Sequence, residues 1–520
     1  MEKIFNTAGT CYPQLHYMMD NSQKVEASLR LIERGAYFTI NRPRQYGKTT
    51  LLYTLSQVLN ETDDYFAIPL NFQGIDRKWH ESDTAFGQMF VEQMETILEV
   101  TDQDLHEFLV ANKQLDSLDQ ISKTITKLVV KSNRKLVLLI DEVDASSNYA
   151  AFVNFLGMLR KKFLSRMQLP TFQSVILAGV HDIKNLKFKL RNPDEANYNS
   201  PWNIAVDFGV RMSFNAQEIA PMLEEYSQSE GVQMNVSAVA KKLYYYTSGY
   251  PFLVSRICQI IAEKLLPNKT ESKRFQWTLE NVEEAVQYLL NESNTNFESL
   301  IKNLGNHKDL YDLTYQIVME GVHVGFNSGN ETISKGVLYG IFKSNGKVRV
   351  QNRIYEQYIY NYLASKLETS TVATYVSPPQ FQQEDGSLNL ELVLERFQQF
   401  IKEEYSDRDE KFLERQWRLI FLAFLRPIVN GEGYTFKEVQ VSQEKRLDIV
   451  VTYKQHRYVI ELKKWYGEQY HRKGLEQLSA YLDIHALDDG FLVIFDPKKE
   501  QSFKKESIEH REKSIFAVWI

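Results

Sequence analysis

The sequence predicts an α/β protein built from two separate α/β parts. In the first part, short apolar strands alternate with longer helical stretches up to about residue 214, which is typical of a parallel sheet covered by helices. In the second part, a strand–turn–strand pattern at residues 445–463 precedes an amphipathic helical stretch. In both parts, glycine, lysine or carboxylate residues lie near the predicted strand ends. We expect the functional sites of the protein at those positions.

Length and composition limit the choice of architecture. At 520 residues the chain is too long for one hydrophobic core, so several domains are expected. A hydrophobic content of 43% and a charged content of 25% are typical of soluble globular proteins. The net charge of −6 argues against a uniformly basic nucleic-acid-binding surface, but it leaves room for a local basic groove.

Cysteine usage and hydropathy predict the compartment. Cys11 and Cys258, the two cysteines, provide neither a disulfide framework nor the spacing of a metal site. The N-terminus has no apolar signal core, and no run of about 18 apolar residues occurs. We therefore expect a protein of the reducing cytoplasm with no membrane partner.

Residues 42–50, Arg-Pro-Arg-Gln-Tyr-Gly-Lys-Thr-Thr, have the pattern of a phosphate-binding loop. They follow a β-branched and aromatic run and precede an apolar stripe at helical spacing, so backbone N–H groups and a helix N-terminus would surround a phosphate. Lys48 is expected to reach the β- and γ-phosphates of ATP, and the Thr49 hydroxyl to bind Mg²⁺. Arg42 replaces the usual first glycine, and a chance Gly-Lys-Thr is the alternative. The expected nucleotide-binding residues of the loop are Arg44, Gln45, Tyr46, Gly47, Lys48, Thr49 and Thr50.

A second motif supports the first. Residues 136–140 are all apolar and run directly into Asp141 and Glu142, which predicts a central parallel strand whose tip enters the nucleotide site. Asp141 is the expected partner of Mg²⁺, and Glu142 is expected to polarise the attacking water. The alternative is a buried strand that ends in a solvated acidic turn.

The remaining strands and the helical region after them supply weaker candidates. The strand at residues 174–179 leads to His181 and Asp182, which are candidate sensors of the γ-phosphate by position only. A solvated strand end is the interpretation that we favour for each of them. A last strand is predicted at 204–208. The Gly-Tyr-Pro sequence at 249–251 predicts a sharp turn between two helices. Either the turn has this structural role alone, or it belongs to a lid that can bring Arg256 toward the phosphates.

Residues 275–366 predict a helical unit that ends in a hairpin. Strands at 337–342 and 347–350 flank an Asn-Gly turn, and helices followed by a hairpin suggest a winged helix. Lys343, Lys347, Arg349 and Arg353 are candidates for nucleic-acid backbone contacts. A packing or interaction module with a solvated wing is the interpretation that we favour.

The C-terminal part contains the second candidate site. Residues 445–451 and 458–463 predict two strands of a hairpin, and the period of two places Glu461 and Lys463 on one face. Asp448 on the neighbouring strand is expected to meet Glu461, which gives two oxygen ligands for Mg²⁺. Lys463 would then hold the attacking water or the scissile phosphate. The alternative is an edge hairpin with an exposed salt-bridge face.

Asp448, Glu461 and Lys463 resemble the motif of the PD-(D/E)XK nuclease superfamily. The resemblance implies an accessory carboxylate, which is Glu414 here, and a downstream helix with Gln477 and Tyr481 one turn apart. Gln477 and Glu414 are therefore further catalytic candidates. The loop before that helix is suited to phosphate contact through Lys464, His471, Arg472 and Lys473.

The N-terminal part, residues 10–366, resembles bacterial AAA-like P-loop ATPases and is similar to switch ATPases of the STAND type. The matching segments are 42–49, 140–142, 200–203 and 249–251. Arg191 and Arg211 are candidates for an arginine finger, but no sequence pattern singles out either of them. The resemblances imply these domains: a three-layer P-loop ATPase core at 1–214, a helical lid at 215–274, a winged-helix-like domain at 275–366, a linker at 367–388 and a nuclease-like domain at 389–520.

Together the two resemblances imply an ATP-controlled, Mg²⁺-dependent DNA nuclease with a role in genome defence. Mn²⁺ is an alternative ion at the nuclease site, and a homo-oligomer is compatible with the ATPase family. A second hypothesis is a regulatory ATPase whose nuclease-like domain binds nucleic acid or a partner without cutting. A third is a protein-remodelling ATPase.

Overall fold

The protein is described by a computed structural model. The residues that it describes are 3–180, 202–268, 276–319, 322, 324–344, 346–370, 381–404, 417–418, 420–422, 424–425, 428–429, 433–438, 447–453, 456–484, 487–496 and 503–520. The chain forms two compact units. The first comprises Met1–Asn296 and Lys335–Gly340, and the second comprises Phe297–Ser334 and Ile341–Ile520.

A five-stranded parallel sheet forms the core of the first unit. Its strands are β1 (Phe38–Asn41), β2 (Tyr65–Asn71), β3 (Lys135–Asp141), β4 (Ser174–Gly179) and β5 (Val206–Asp207). They lie in the order β2-β3-β4-β1-β5, and each neighbouring pair is parallel. The predicted central parallel strand is confirmed, since β3 is buried from its second residue onward. β5 is shorter than the strand predicted at 204–208.

Ten helices accompany this sheet in the described residues of the first unit. They are α1 (Ser22–Glu33), α2 (Lys48–Asn60), α3 (Asp83–Thr101), α4 (Gln103–Asn112), α5 (Leu118–Lys131), α6 (Ala150–Leu164), α7 (Ala216–Glu230), α8 (Val236–Thr247), α9 (Pro251–Ile260) and α10 (Leu279–Leu290). The side chains of Ser82, Asp102 and Ser117 cap α3, α4 and α5. These caps divide the long helical stretch between β2 and β3 into three helices.

A buried glycine fixes the turn that leads into α9. Gly249 has a φ of +72°, and a Cβ atom there would lie 1.7 Å from the carbonyl oxygen of Phe214. Phe214 also donates its backbone N–H to the Gly249 carbonyl at 2.9 Å. Pro251 begins α9, where its missing N–H is no loss. Two short strands, β6 (Gln233–Met234) and β7 (Gln276–Trp277), form a parallel pair. β6 comes shortly before α8 in the sequence, and β7 shortly before α10.

The helical region of the second unit differs in one place from the sequence prediction. Its elements are α11 (Thr295–Asn306), α12 (Lys308–Val318), α13 (Glu331–Leu338), β8 (Phe342–Ser344), β9 (Val348–Val350) and α14 (Arg353–Ser370). Helix α11 begins in the first unit, and helix α13 ends in it. The strand predicted at 337–342 is wrong, because residues up to Leu338 are helical and only Phe342 begins the hairpin. Gly340, with a φ of +71°, follows the helix end in the conformation that stops helices.

The rest of the second unit, in its described residues, is a six-stranded mixed sheet with two helices. Its elements are α15 (Leu390–Glu404), β10 (Gly433–Glu438), β11 (Leu447–Tyr453), β12 (His456–Lys464), α16 (Glu468–Ile484), β13 (Asp489–Phe495), β14 (Lys505–His510) and β15 (Lys513–Trp519). Residues 417–418, 420–422, 424–425 and 428–429 are also helical. The strand order is β10-β11-β12-β13-β15-β14. β10, β11 and β12 are antiparallel, and α16 then returns the chain so that β13 is parallel to β12.

Part of the predicted linker at 367–388 is folded. Residues 371–380 lie outside the described residues, but Phe381 and Leu388 are buried, and Gln382 forms a β-bridge with Leu388. Both cysteines are free. Among the described residues, no helix is long and apolar enough to cross a membrane.

The close contact at Gly249 generates a stability prediction. We expect Gly249→Ala to lower the free energy of unfolding by about 3 kcal/mol or more, because the added methyl group must displace the Phe214 backbone. Gly231→Ala is the matched control: its φ is +65°, but a Cβ atom there meets nothing within 4 Å. The control should cost only about 1 kcal/mol. Urea denaturation measures both, and equal losses would contradict the packing described for Gly249.

Candidate functional site

The first site is the loop between β1 and α2. Gly47 precedes α2 with a φ of +75°, in the left-handed region that favours glycine, and its carbonyl accepts the first helical hydrogen bond from Leu51 at 3.0 Å. The N-terminal N–H groups of a helix have no acceptor within the helix. The loop residues before Gly47 therefore lie where an anion would meet the positive end of α2.

Lys48 is the buried cation of this loop. It is 5% exposed, and its Nζ donates to the carbonyl oxygens of Arg42 and Pro43 at 3.0 Å each. Burial lowers the pKa of Lys48, while the carboxylates of Glu142 and Asp141 act in the opposite direction. A buried ammonium needs acceptors, and the loop supplies two of its own carbonyls. Phosphate oxygens are stronger acceptors of the same kind, so the loop fits a phosphate.

Thr49 and Asp141 meet across the site. The Thr49 hydroxyl donates to Oδ2 of Asp141 at 2.5 Å, and Oδ1 of Asp141 accepts from the backbone N–H of Glu142 at 2.8 Å. The structure thus brings these two predicted residues together, with oxygen atoms of the type that Mg²⁺ binds. Thr50 does not join them: its hydroxyl accepts from the backbone N–H of Cys11 at 3.1 Å.

Glu142 is the neighbouring carboxylate. It has a left-handed backbone, with a φ of +52°, and is half-buried. Burial and, after it, repulsion by Asp141 raise the pKa of Glu142, while Lys48 acts in the opposite direction. A carboxylate with a raised pKa accepts protons more readily than an ordinary glutamate, which suits a general base.

Arg42, which occupies the place of the usual first glycine, anchors the start of the loop. Its guanidinium donates to the carbonyl oxygens of Asn41, Phe208 and Val210 at 2.8, 3.3 and 3.1 Å. Its backbone N–H donates to the Gly179 carbonyl at the end of β4, at 3.1 Å. The usual glycine would leave this backbone flexible, whereas the Arg42 side chain attaches it by hydrogen bonds to the segment after β5.

The loop residues Arg44, Gln45 and Tyr46 contact other parts of the first unit. Tyr250 donates its hydroxyl to the Arg44 carbonyl at 2.6 Å, and its ring lies edge-on to that of Tyr46, 4.5 Å between centroids. The Asn296 side-chain amide donates to Oε1 of Gln45 at 2.8 Å. Sequence reasoning missed these contacts.

Asp144 is a further residue that sequence reasoning missed. Its carboxylate accepts the backbone N–H of Val180, directly after β4. A Cβ atom on Gly179 would lie 2.9 Å from Oδ2 of Asp144, so the small residue allows this approach. The third carboxylate of the Asp-Glu-Val-Asp sequence thus fixes the end of the strand beside β3. His181 and Asp182, the sensor candidates, lie outside the described residues.

The arginine candidates have no contact with the loop among the described residues. Arg256 pairs with Glu292, with Nε donating to Oε2 at 3.2 Å, and its Nη1 donates to Oε1 of Gln259 at 2.6 Å. The expected approach of Arg256 to the phosphates is therefore not seen. Arg211 is exposed, and Arg191 lies outside the described residues.

In the second unit, Asp448 and Glu461 are directly opposed on β11 and β12. Glu461 is 1% exposed and Lys463 is 4% exposed, and Nζ of Lys463 lies 3.3 Å from Oε1 of Glu461. The strand register thus places Asp448 opposite Glu461, and the Lys463 ammonium lies beside the Glu461 carboxylate.

Helix α16 packs against Lys463. A Cβ atom on Gly474 would lie 1.2 Å from Nζ of Lys463, so a larger residue there would require the lysine side chain to move. The Lys463 ammonium lies 5.5 Å from the Tyr470 ring centroid. Burial and the nearby Lys463 charge lower the pKa of His471. Gln477 is half-buried on the same helix, one turn before the buried Tyr481.

Two further predictions concern side chains elsewhere in the second unit. Glu414 lies outside the described residues. In the hairpin, burial and the charges of Arg353 and Arg349 lower the pKa of Lys343 to about 8. A desolvated lysine of this kind favours the packing interpretation of the hairpin over a nucleic-acid contact at that residue. Among the described residues, no group of three or more His, Cys, Asp or Glu side chains is arranged to hold a metal ion.

Solved structures with related folds were found at low sequence identity. A Walker-type ATPase of Pyrococcus abyssi is 11% identical, with a TM-score of 0.46 over 68% of this chain and 99% of that chain. The ORC2 protein of Aeropyrum pernix is 13% identical, with a TM-score of 0.37 over 70% and 98%. The RuvB Holliday junction branch migration motor of Thermotoga maritima is 14% identical, with a TM-score of 0.32 over 66% and 95%.

Comparison with curated proteins finds none that matches the sequence. A family model described as an AAA-like domain matches residues 13–361, which is more than half of the chain. That range includes the phosphate loop, the Thr49–Asp141 contact and helices α7, α8 and α9. The chain therefore has a P-loop ATPase fold with a parallel central sheet, and it belongs to the AAA-like domain family.

Proposed function

We propose that this AAA-like ATPase is a switch that controls a metal-dependent DNA nuclease in its own C-terminal part. Its cofactors are ATP and Mg²⁺, with Mn²⁺ as a substitute at the nuclease site. The observation that carries the nuclease half is the opposed pair Asp448 and Glu461, with Lys463 3.3 Å from Glu461. The proposed division is an ATPase core at 1–214, a lid at 215–274, a winged-helix-like domain at 275–366 and a nuclease-like domain at 389–520, with a connecting segment at 367–388 that is folded in part.

At the ATP site, two loop residues and the two carboxylates after β3 have specific tasks. Lys48 exchanges its two carbonyl acceptors for phosphate oxygens and neutralises part of their charge. Thr49 and Asp141 would hold Mg²⁺, which supplies further charge neutralisation when bound. Glu142 takes the proton of the attacking water. The pairing of Thr49 with Asp141 at 2.5 Å supports this assignment, because both oxygens already face one point.

At the nuclease site, Asp448 and Glu461 would hold the metal ion through hard carboxylate oxygens, which suit Mg²⁺. Lys463 orients the water or neutralises the scissile phosphate. Gln477, on the helix that packs against Lys463, is the further catalytic candidate that the resemblance implies. The order of hairpin, acidic pair, lysine and helix supports the resemblance to PD-(D/E)XK nucleases.

The burial of this charged pair argues against a purely structural role. β12 lies between β11 and β13, so it is an interior strand of the sheet and not the edge of a hairpin. Glu461 and Lys463 are almost fully buried, whereas the structural alternative required an exposed salt-bridge face. A buried ion pair contributes little net stability, because the desolvation of both charges offsets their attraction. A function that needs both charges explains their presence better.

DNA is the proposed substrate because basic and aromatic side chains flank this site. Arg472 and Lys473 are exposed on α16, and Tyr466 and Tyr470 are exposed beside Lys463 and Lys464. Cationic side chains contact phosphates, and exposed aromatic rings contact bases. The local basic character coexists with a net charge of −6 for the whole chain.

The raised pKa of Glu142 generates a prediction about ATP hydrolysis. The ionised carboxylate is the active form, so the rate should fall as pH decreases through a pKa above the ordinary glutamate value of 4.5. Glu142→Gln should lower kcat by about 100-fold and remove this acid limb, while ATP binding persists. Steady-state kinetics between pH 5 and pH 9, together with an ATP titration, check this. A variant that keeps the wild-type profile would contradict the assigned role.

The nuclease half is tested by incubating plasmid or linear DNA with the protein, ATP and Mg²⁺ or Mn²⁺. We expect backbone cutting that Asp448→Ala or Lys463→Ala reduces by at least about 100-fold, because each removes a group that stabilises the reacting phosphate. Glu476→Ala, an exposed carboxylate on α16, is the matched control and should cut like the wild type. Agarose gels and end-labelled substrates measure the rates.

Folding must be checked in the same experiment, because Lys463→Ala leaves the buried Glu461 carboxylate without that cation. Asp448→Asn keeps the side-chain shape, so it provides a second inactive variant at lower structural cost. DNA binding without cutting by the wild type would instead favour a regulatory ATPase with a binding domain. ATP hydrolysis that responds to a protein client and not to DNA would favour a remodelling ATPase.

A further inference from the structure

We propose that Asn296 and Gly340 are positioning residues for ATP: with Tyr250, they hold the phosphate loop in its binding shape. These contacts tie the loop to the two places where the chain passes from the first compact unit into the second. The proposal rests on the ATP site described above and is independent of the nuclease assignment.

Asn296 fixes the most unusual residue of the loop. Gln45 has a φ of +57°, in the left-handed region that residues other than glycine rarely adopt. Its side-chain Oε1 accepts the Asn296 amide at 2.8 Å, and Asn296 is only 7% exposed. Such a backbone conformation persists only where surrounding contacts determine it. The Asn296 amide is the side-chain contact that performs this task for Gln45.

Tyr250 extends the same set of contacts to both neighbours of Gln45. Its hydroxyl donates to the Arg44 carbonyl at 2.6 Å, and its ring meets the Tyr46 ring. Nδ2 of Asn296 lies 3.5 Å from the Tyr250 hydroxyl. Three successive loop residues are therefore held by two buried side chains that also contact each other.

Gly340 holds the start of the loop by close packing. A Cβ atom at this position would lie 2.7 Å from Cγ and 3.0 Å from Cβ of Pro43. The carbonyl of Pro43 is one of the two acceptors of the Lys48 ammonium. Any displacement of Pro43 therefore moves an acceptor of the lysine that binds the phosphates.

The positions of these residues in the chain give the contacts their significance. Asn296 and Gly340 are each the last residue of a first-unit segment. The residues that follow them, Phe297 and Ile341, belong to the second unit. A change in loop shape on ATP binding must alter the contacts at both junctions. By linkage, a loop shape that depends on ATP and contacts the junctions makes ATP affinity sensitive to changes at the junctions.

The first test compares two substitutions of Asn296. Asn296→Leu removes the hydrogen bond, and we expect about a tenfold weaker Kd for ATP because the loop is no longer preorganised. Asn296→Gln keeps a neutral side-chain amide that can donate to Oε1 of Gln45, so it should bind ATP more like the wild type than Asn296→Leu does. Isothermal titration measures both. This rescue distinguishes a hydrogen bond to Gln45 from a general effect on packing.

The second test uses a double-mutant cycle and a glycine pair. Gln45→Ala should abolish the effect of Asn296→Leu, so that the double variant binds ATP like Gln45→Ala alone. Gly340→Ala should weaken ATP binding about tenfold by displacing Pro43. Gly74→Ala is its control, with a φ of +72° and nothing within 4 Å of the added Cβ atom.

Hydrogen exchange then tests the link to the junctions. In the wild type, ATP should change the protection of peptides that contain residues 295–300 and 339–344, and Asn296→Leu should remove the first of these changes. Wild-type ATP affinity in Asn296→Leu, or independent effects of Gln45→Ala and Asn296→Leu, would overturn the proposal. Absence of ATP binding by the wild type would instead overturn the ATP site itself. If Gly340→Ala does not fold, the Asn296 variants still decide.

Discussion

The burial of the Lys48 ammonium is the constraint on which the first unit depends. A cation that is 5% exposed needs acceptors, and the loop bends so that the carbonyls of Arg42 and Pro43 provide them. The bend in turn requires the left-handed backbone at Gly47 and the anchoring of the Arg42 guanidinium. The loop is thus shaped around a charge that phosphate oxygens would satisfy better than carbonyls do.

A second buried charge organises the second unit in a similar way. Glu461 and Lys463 lie within an interior strand, and α16 accommodates the lysine because residue 474 is glycine. Glycine inside a helix lowers helix stability by about 1 kcal/mol relative to alanine, so its presence requires a compensating contact. Here that contact is the approach of the Lys463 ammonium. In both units, a lysine is buried near carboxylates, Lys48 in the first and Lys463 in the second, at a cost in the free energy of folding.

Local sequence patterns predicted much of this structure. The apolar run before Asp141 and the Gly-Lys-Thr sequence are short-range signals, and they led to the parallel sheet and the phosphate loop. The strand pair that opposes Asp448 to Glu461 followed from two apolar stretches separated by a short polar turn. The strand predicted at 337–342 was wrong, because apolar residues at the end of a short helix do not differ from a strand by periodicity alone.

Other parts of the site were beyond sequence reasoning because they depend on contacts distant in the chain. Tyr250 meets Arg44 from 206 residues away, and Asn296 meets Gln45 from 251 residues away. The anchoring role of Arg42 depends on carbonyls after β5, so the sequence showed only a missing glycine. Asp144 was overlooked because its partner is a backbone N–H after a different strand.

Titration of ATP into the wild type and Lys48→Ala tests the central claim most directly. Loss of the buried ammonium should weaken ATP binding by at least about tenfold, because phosphate oxygens lose their principal cation. Lys127→Ala, an exposed lysine on α5, serves as the control and should bind like the wild type. Equal affinity in the wild type and Lys48→Ala would contradict the assignment of the loop as the phosphate site.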